Sequence, residues 1–330
     1  MHRSLVSLAV LALCAGCGDV DQSPPSATPA TPQTPQAEAG QAETGAWRIA
    51  PKGDLNGLFN CLAKADATIV SAHRGGPAPG YPENAIETFD ATLRASPALV
   101  EMDVATSADG VLYLMHDDTL DRTTTGSGLA SEATWAEISR LRLLDENNRR
   151  TDYSPPSFAE ALRFLKPRTI AQIDFKRSTR YEDAIDEIKR QNAEDRVILI
   201  AYSLAGARKL HRLAPEMMIS LSIDNEDELT QAMAGGAPAN RLMGFTGTQA
   251  PSPRINAALD ALGVETIFGA LGGRRSIDNQ IAASGDESRY ADIAETGVDI
   301  LATDRPIEAH RALAKAGLAP EAGECGVTRR

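Results

Sequence analysis

From residue 68 to residue 316, short apolar runs alternate with segments of helical period, and this alternation limits the available folds more than any other feature of the chain. Strand-like runs fall at residues 68–72, 98–104, 111–115, 169–175, 197–201, 217–223, 242–245, 264–268 and 300–302. Helical stretches lie at 84–95, 157–165, 181–191, 205–213, 226–234, 254–262, 289–295 and 307–316. Strands separated by helices return to the sheet through crossovers, so the pattern predicts a parallel sheet covered by helices. With this many repeats, closure into a TIM-type (β/α)8 barrel is the expected α/β architecture. Nine candidate strands are one more than that fold needs. Only six residues separate the runs ending at 104 and beginning at 111, too few for a covering helix. Extended, they span about 20 Å, so a parallel return without a helix is open, and the barrel should be irregular around its second and third strands.

The first three runs carry chemistry at their ends and edges. His73 and Arg74 follow the first run, Glu101 and Asp103 lie in the second, His116 follows the third, and Glu83 stands between the first two. Each of these groups, if buried, must be paired, hydrated or bound to a cation. A metal site beside an acid–base pair satisfies the whole set. Of the other histidines, His2 lies in the leader, and His211 and His310 fall on helical stretches where surface or packing roles are expected. The formal net charge of -12 argues against a basic nucleic-acid-binding face, and an anionic substrate would need a local cation to draw it in.

Taken in order, His73-Arg74-Gly75, Pro82-Glu83-Asn84, Glu101-x-Asp103, Asp109-Gly110, His116-Asp117 and Leu120-Asp121-Arg122-Thr123-Thr124-x-Gly126 resemble the glycerophosphodiester phosphodiesterase family. The barrel and two-histidine site of that family are similar to those of phosphatidylinositol-specific phospholipases C. Residues 297–306, GVDILATDRP, are close to its last-strand motif, and the resemblance runs from about 68 to 313. It implies metal-dependent hydrolysis of glycerophosphodiesters to glycerol 3-phosphate and an alcohol. In that reading Glu101, Asp103 and Asp174 hold one divalent cation, Ca²⁺ or Mg²⁺, with Glu83 as a further ligand or an acceptor beside them. His73 and His116 form the acid–base pair in either assignment, while Arg74 and Lys176 hold phosphate charge and the carboxylates. Attack by the substrate's own 2-hydroxyl, through a cyclic phosphate, and direct attack by water both fit. A small insertion after the third strand, at about 117–156, is expected over the barrel mouth.

Two departures from the family pattern carry their own expectations. Asp174 stands where the family more often has glutamate. The tryptophan-bearing strand of the family is replaced by residues 267–275, IFGALGGRR, so Phe268 is expected to supply part of the pocket wall and the Gly272–Arg275 loop to offer two guanidiniums to an anionic head group. The alternatives are phospholipase C- or D-like cleavage of lipid phosphodiesters and a non-catalytic envelope protein that binds phosphodiesters or glycans. The acidic chain and the lack of an apolar loop at the mouth favour a water-soluble substrate.

The chain divides into three parts. Residues 1–16 have the charged start and short apolar centre of a signal peptide. Cys14-Ala15-Gly16-Cys17 then resembles a bacterial lipobox, with Cys14 in the place of the usual leucine, and this implies lipid on Cys17. The rest of residues 17–45 is rich in Pro, Thr, Ala, Gln and Glu and reads as a disordered tether, leaving 46–330 for the barrel. The expected location is the cell envelope, as a periplasm-facing lipoprotein. Gly18, where an aspartate would signal inner-membrane retention, leans toward the outer membrane. Cys61 and Cys325 flank the barrel at its two ends, which closure brings near one another, so in an oxidising compartment a disulfide is expected, against two free thiols.

Overall fold

The computed structural model describes residues 45–235 and 237–330; the leader, Cys17 and residues 18–44 lie outside the described residues. The elements in chain order are β1 (Trp47–Ile49), α1 (Leu55–Lys64), β2 (Ile69–Ala72), α2 (Ile86–Ala95), β3 (Ala98–Thr106), β4 (Leu112–Leu114), α3 (Trp135–Ile138), α4 (Phe158–Leu165), β5 (Ala171–Phe175) and α5 (Tyr181–Arg190). They continue with β6 (Val197–Ala201), α6 (Leu204–Leu213), β7 (Met218–Ser222), α7 (Glu226–Gly235), β8 (Leu242–Phe245), α8 (Pro253–Asp260), β9 (Glu265–Gly269), α9 (Ile277–Ser284), α10 (Arg289–Ala294), β10 (Ile300–Thr303), α11 (Pro306–Ala316) and β11 (Val327–Arg329). Local chemistry starts several helices. Ser157, Ser203 and Ser276 each accept a bond from a backbone N–H of the following first turn, and Glu160 completes a capping box with Ser157.

Eight strands, in the order β2-β10-β9-β8-β7-β6-β5-β3, pair in parallel, and β2–β3 pairing closes the ring. The fold is therefore the expected TIM-type barrel. The surplus strand is β4, and it runs antiparallel to the end of β3, with Val104 opposite Leu114 and Thr106 opposite Leu112. This corrects the parallel return that the six-residue spacing left open. Asp109-Gly110 is a hairpin-turn pair, Gly110 adopts φ +84°, and Ser107 N–H bonds Val111 O across the turn at 3.0 Å.

The side-chain period of two sorts the strands into an inner and an outer face. Ile69, Leu99, Ile170, Ile198, Met218, Met243, Ile267 and Ile300 meet in one buried cluster, which fills the lower barrel, and α1 closes the floor with Leu55, Leu58, Phe59 and Leu62. Residues of opposite parity, among them Val100, Ile173 and Leu199, face the surrounding helices. The two ends of the barrel segment meet below: β1 pairs with β11, and Cys61 on α1 is joined to Cys325 with a Cα–Cα distance of 5.5 Å. Within residues 117–156, Leu120, Ala130 and Ile138 form a small core with Tyr113 and Met115. This insertion is tied to the loop after β2, because Asp145 Oδ2 accepts from Gly80 N–H at 2.9 Å.

Candidate active site

The parity that buries the floor also builds the upper layers of the barrel. Counting up by two from Ile69, Leu99, Ile170, Ile198 and Ile300 gives Ser71, Glu101, Gln172, Ile200 and Ala302; two more give His73, Asp103, Asp174, Tyr202 and Asp304. The starting set is apolar, the middle one mixed and the upper one mostly ionisable, which places the chemistry at the C-terminal ends of the strands. Ser71 Oγ donates to Gln172 Oε1 across this transition.

Beyond β2 the chain turns sharply, with Arg74, Gly75 and Gly76 at φ +51°, +87° and +80°. Gly75 is required there twice over, since its φ is left-handed and a Cβ would lie 2.3 Å from the Phe89 ring. The turn aims Arg74 N–H at Glu101 Oε2, 2.7 Å away.

Register brings the acids together. Asp103 on β3 lies directly opposite Asp174 on β5, one layer above Glu101, and ligand atoms of the three all fall within 4.8 Å of one another. Lys176 Nζ is 2.7 Å from both Asp103 Oδ1 and Asp174 Oδ2, and Arg74 Nε is 3.3 Å from Asp103 Oδ2. Asn84 braces Asp103 by donating from Nδ2 to Oδ2 at 2.7 Å and accepting from its N–H at 3.0 Å. Burial opposes ionisation of Asp103, but the charges of Lys176, Arg74 and His116 outweigh it and its pKa is lowered. Glu101 lacks such cover. Burial and the charge of Asp103 push its carboxyl up to about 8. With Asp174 Oδ1 buried and without a hydrogen-bond partner, the triad has a surplus of acceptor charge. That donor set, three carboxylates with oxygen left over, fits a hard divalent cation.

Each histidine is held by its own carboxylate. His73 Nδ1 lies 2.6 Å from Asp304 Oδ1, and His116 Nδ1 lies 2.6 Å from Asp117 Oδ1. Burial lowers the His73 pKa, but the Asp304 hydrogen bond and the charges of Glu101 and Asp304 overcome it, leaving the imidazole above its usual value. Arg122 binds Asp117 at 2.6 and 2.8 Å, and these bonds hold Asp117 well below the usual carboxylate range. The same guanidinium reaches both oxygens of Glu83 at 2.8 Å, and Arg74 Nη1 reaches them at 3.1 and 3.2 Å. Glu83 thus sits between two guanidiniums, beside the grouped acids Glu101, Asp103 and Asp174.

His73, Arg74, His116 and Arg122 line one open cavity of about 590 Å³, with Gly272 and Gly273 on its rim. Arg274 and Arg275 are not among the residues that line it. A smaller cavity of about 110 Å³ leads down past His73, Glu101 and Asp174 to Tyr202, Phe245, Ile267 and Leu271. Phe268 is absent from its wall. It has the outward parity of β9 and is buried against Ile277, Ile281 and Tyr290 on the helices outside, so Phe245 supplies the aromatic surface instead.

Sequence reasoning brought His73, His116, Glu101, Asp103, Asp174, Arg74 and Lys176 forward, and the barrel gathers all seven at its mouth. It assigned no role to Asp304, Asp117, Arg122 or Tyr202. The first three lie inside the quoted motifs, which was a usable signal; Tyr202 had none.

Comparison with known proteins bears on this geometry. The profile described as "Glycerophosphoryl diester phosphodiesterase family" matches residues 73–266. A glycerophosphodiester phosphodiesterase of Caldanaerobacter subterraneus is 30% identical over 161 residues, a match that covers 47% of this chain and 66% of that one. Among solved structures, a glycerophosphoryl diester phosphodiesterase from Parabacteroides distasonis superimposes with a TM-score of 0.79 at 29% identity, over 87% of this chain and 100% of that one. An Oleispira antarctica phosphodiesterase, solved with sn-glycerol-3-phosphate, shares the fold at a TM-score of 0.60 and 18% identity over 76% of this chain and 99% of that one.

Proposed function

Because this chain belongs to the glycerophosphoryl diester phosphodiesterase family, we propose that it is a phosphoric diester hydrolase that releases glycerol 3-phosphate and an alcohol from water-soluble glycerophosphodiesters. The observation that carries this reading is the pair of imidazoles, each tied through Nδ1 to a carboxylate and both on the wall of the cavity beside the acid triad.

Glu101, Asp103 and Asp174 would hold one divalent cation, Ca²⁺ or Mg²⁺, which when bound would withdraw charge from a phosphate oxygen and acidify a coordinated hydroxyl. Arg74 would add positive charge to the phosphate side of the cavity while Glu83 and Arg122 keep it in place. Lys176 would hold Asp103 and Asp174 at a fixed separation. With Nδ1 of each ring committed to a carboxylate, Nε2 is the atom free to exchange a proton with substrate. One Nε2 would take the proton of the attacking hydroxyl, and the other would deliver a proton to the departing alkoxide. Either histidine fits either task, and the attacking hydroxyl is that of the substrate or of water.

The test is release of glycerol 3-phosphate from glycerophosphocholine, glycerophosphoethanolamine and glycerophosphoinositol, with Ca²⁺, with Mg²⁺ and with chelator, beside His73→Ala. Metal-dependent release is expected, and His73→Ala should cut it by about 10²–10⁴-fold. Folded protein that releases nothing with either metal would overturn the proposal. We further propose, on the lipobox resemblance alone, that lipid on Cys17 anchors the domain in the cell envelope on its periplasmic side. Incorporation of a fatty-acid label that persists in Cys17→Ser would refute the anchor.

A further inference from the structure

Asp174 divides its two oxygens unequally. Oδ2 receives two donors, Lys176 Nζ at 2.7 Å and the Tyr202 hydroxyl at 3.0 Å. Oδ1 is buried with no hydrogen-bond partner. Lys176 is shared with Asp103, also at 2.7 Å, so it can follow either carboxylate and does not by itself set the rotation of Asp174. The terminal torsion of an aspartate is broad, and a single shared ammonium leaves it soft. Tyr202 supplies the second constraint. It is also an unusual tyrosine, 68% exposed, the most exposed of the large hydrophobic side chains among the described residues. Core packing therefore does not explain its position. It follows β6 on the inner-face parity, and its ring forms part of the wall of the small cavity beside Asp174.

We propose that Tyr202 is a positioning residue which, by donating to Oδ2, turns Asp174 so that Oδ1 alone is presented to the divalent cation. The inference rests on the metal-dependent reading above. It assigns Tyr202 to the holding of the cation rather than to proton transfer. Loss of a partner that orients a metal ligand typically weakens binding 10–100-fold. Removing one hydroxyl from an exposed ring leaves the fold intact.

The test is calorimetric titration of the purified protein with Ca²⁺ alone and with Mg²⁺ alone, for the wild type, Tyr202→Phe, Asp174→Asn, Asp174→Glu and the Tyr202→Phe/Asp174→Glu pair. Tyr202→Phe should weaken the affinity by about tenfold or more with an unchanged melting temperature. In the Asp174→Glu background the longer arm moves the carboxylate off the tyrosine hydroxyl, so the added Tyr202→Phe change should have no effect. Wild-type affinity in Tyr202→Phe, alongside weakened binding in Asp174→Asn, would overturn the role of Tyr202 and leave the metal site standing. Absence of binding by wild type with either ion would overturn both.

Discussion

Glu265 provides a test of the barrel interior that does not depend on the active site. It opens β9 on the inward face, two residues before Ile267, at the floor of the barrel. The residue is 7% exposed and its Oε2 is buried without a hydrogen-bond partner. Burial, aided by the like charge of Asp299, pushes its carboxyl from an ordinary 4.5 up to about 7. In the unfolded chain the group ionises at its ordinary value, so between these two values the unfolded state releases a proton that the folded state keeps. Stability is therefore fully present below pH 4.5, falls as pH rises toward 7, and levels off above it. At 1.36 kcal/mol per pKa unit the loss amounts to about 3 kcal/mol by pH 8, and to under about 1 kcal/mol at pH 5. Glu265→Gln keeps the shape and removes the ionisation. Chemical unfolding of wild type and variant at pH 5 and pH 8 should show the variant gaining about 2–3 kcal/mol more at the higher pH. Any cost of burying the amide is common to both pH values and cancels. A stability difference that is the same at pH 5 and pH 8 would refute the reasoning.

Asp304→Asn should leave the melting temperature nearly unchanged and lower kcat by about 10²-fold or more, because an amide cannot hold His73 Nδ1–H as the carboxylate does. Activity within a few-fold of wild type would show that Asp304 does not orient the ring. Cys61→Ser opens a cross-link between residues 264 apart in sequence and should cost about 2–5 kcal/mol, read as a melting temperature lower by roughly 5–10 °C. A melting temperature unchanged by the substitution, or by reductant in the wild type, would show that the β1–β11 pairing alone secures the ends.

How much of this was legible in the sequence depended on distance along the chain. The strand–helix rhythm was local and led to the barrel without reference to any long-range contact. The strand period of two is also local. It carried Ile69 to His73, Leu99 to Asp103 and Ile170 to Asp174, so the same count that buries the floor delivers ionisable groups to the mouth. The run at 111–115 was legible as a strand but not in direction, because six connecting residues permit either a hairpin or an extended return, and only the turn at Gly110 decides between them. Phe268 was misplaced by one position of parity: its neighbour Ile267 faces inward, and a single-residue step reverses the face.

By itself, then, the sequence determined the architecture and which residues would reach the open end of the barrel, because both follow from periodicity over a few residues. Tertiary structure alone decided how those residues are paired. His73 meets Asp304 across 231 positions. Glu83 goes to Arg74 and Arg122, and Asp174 accepts from the hydroxyl of Tyr202, which follows the neighbouring strand. Such pairings arise when barrel closure sets strand register and stagger, and hydrogen-bond distances between side chains of different strands have no counterpart in the local pattern of any one of them.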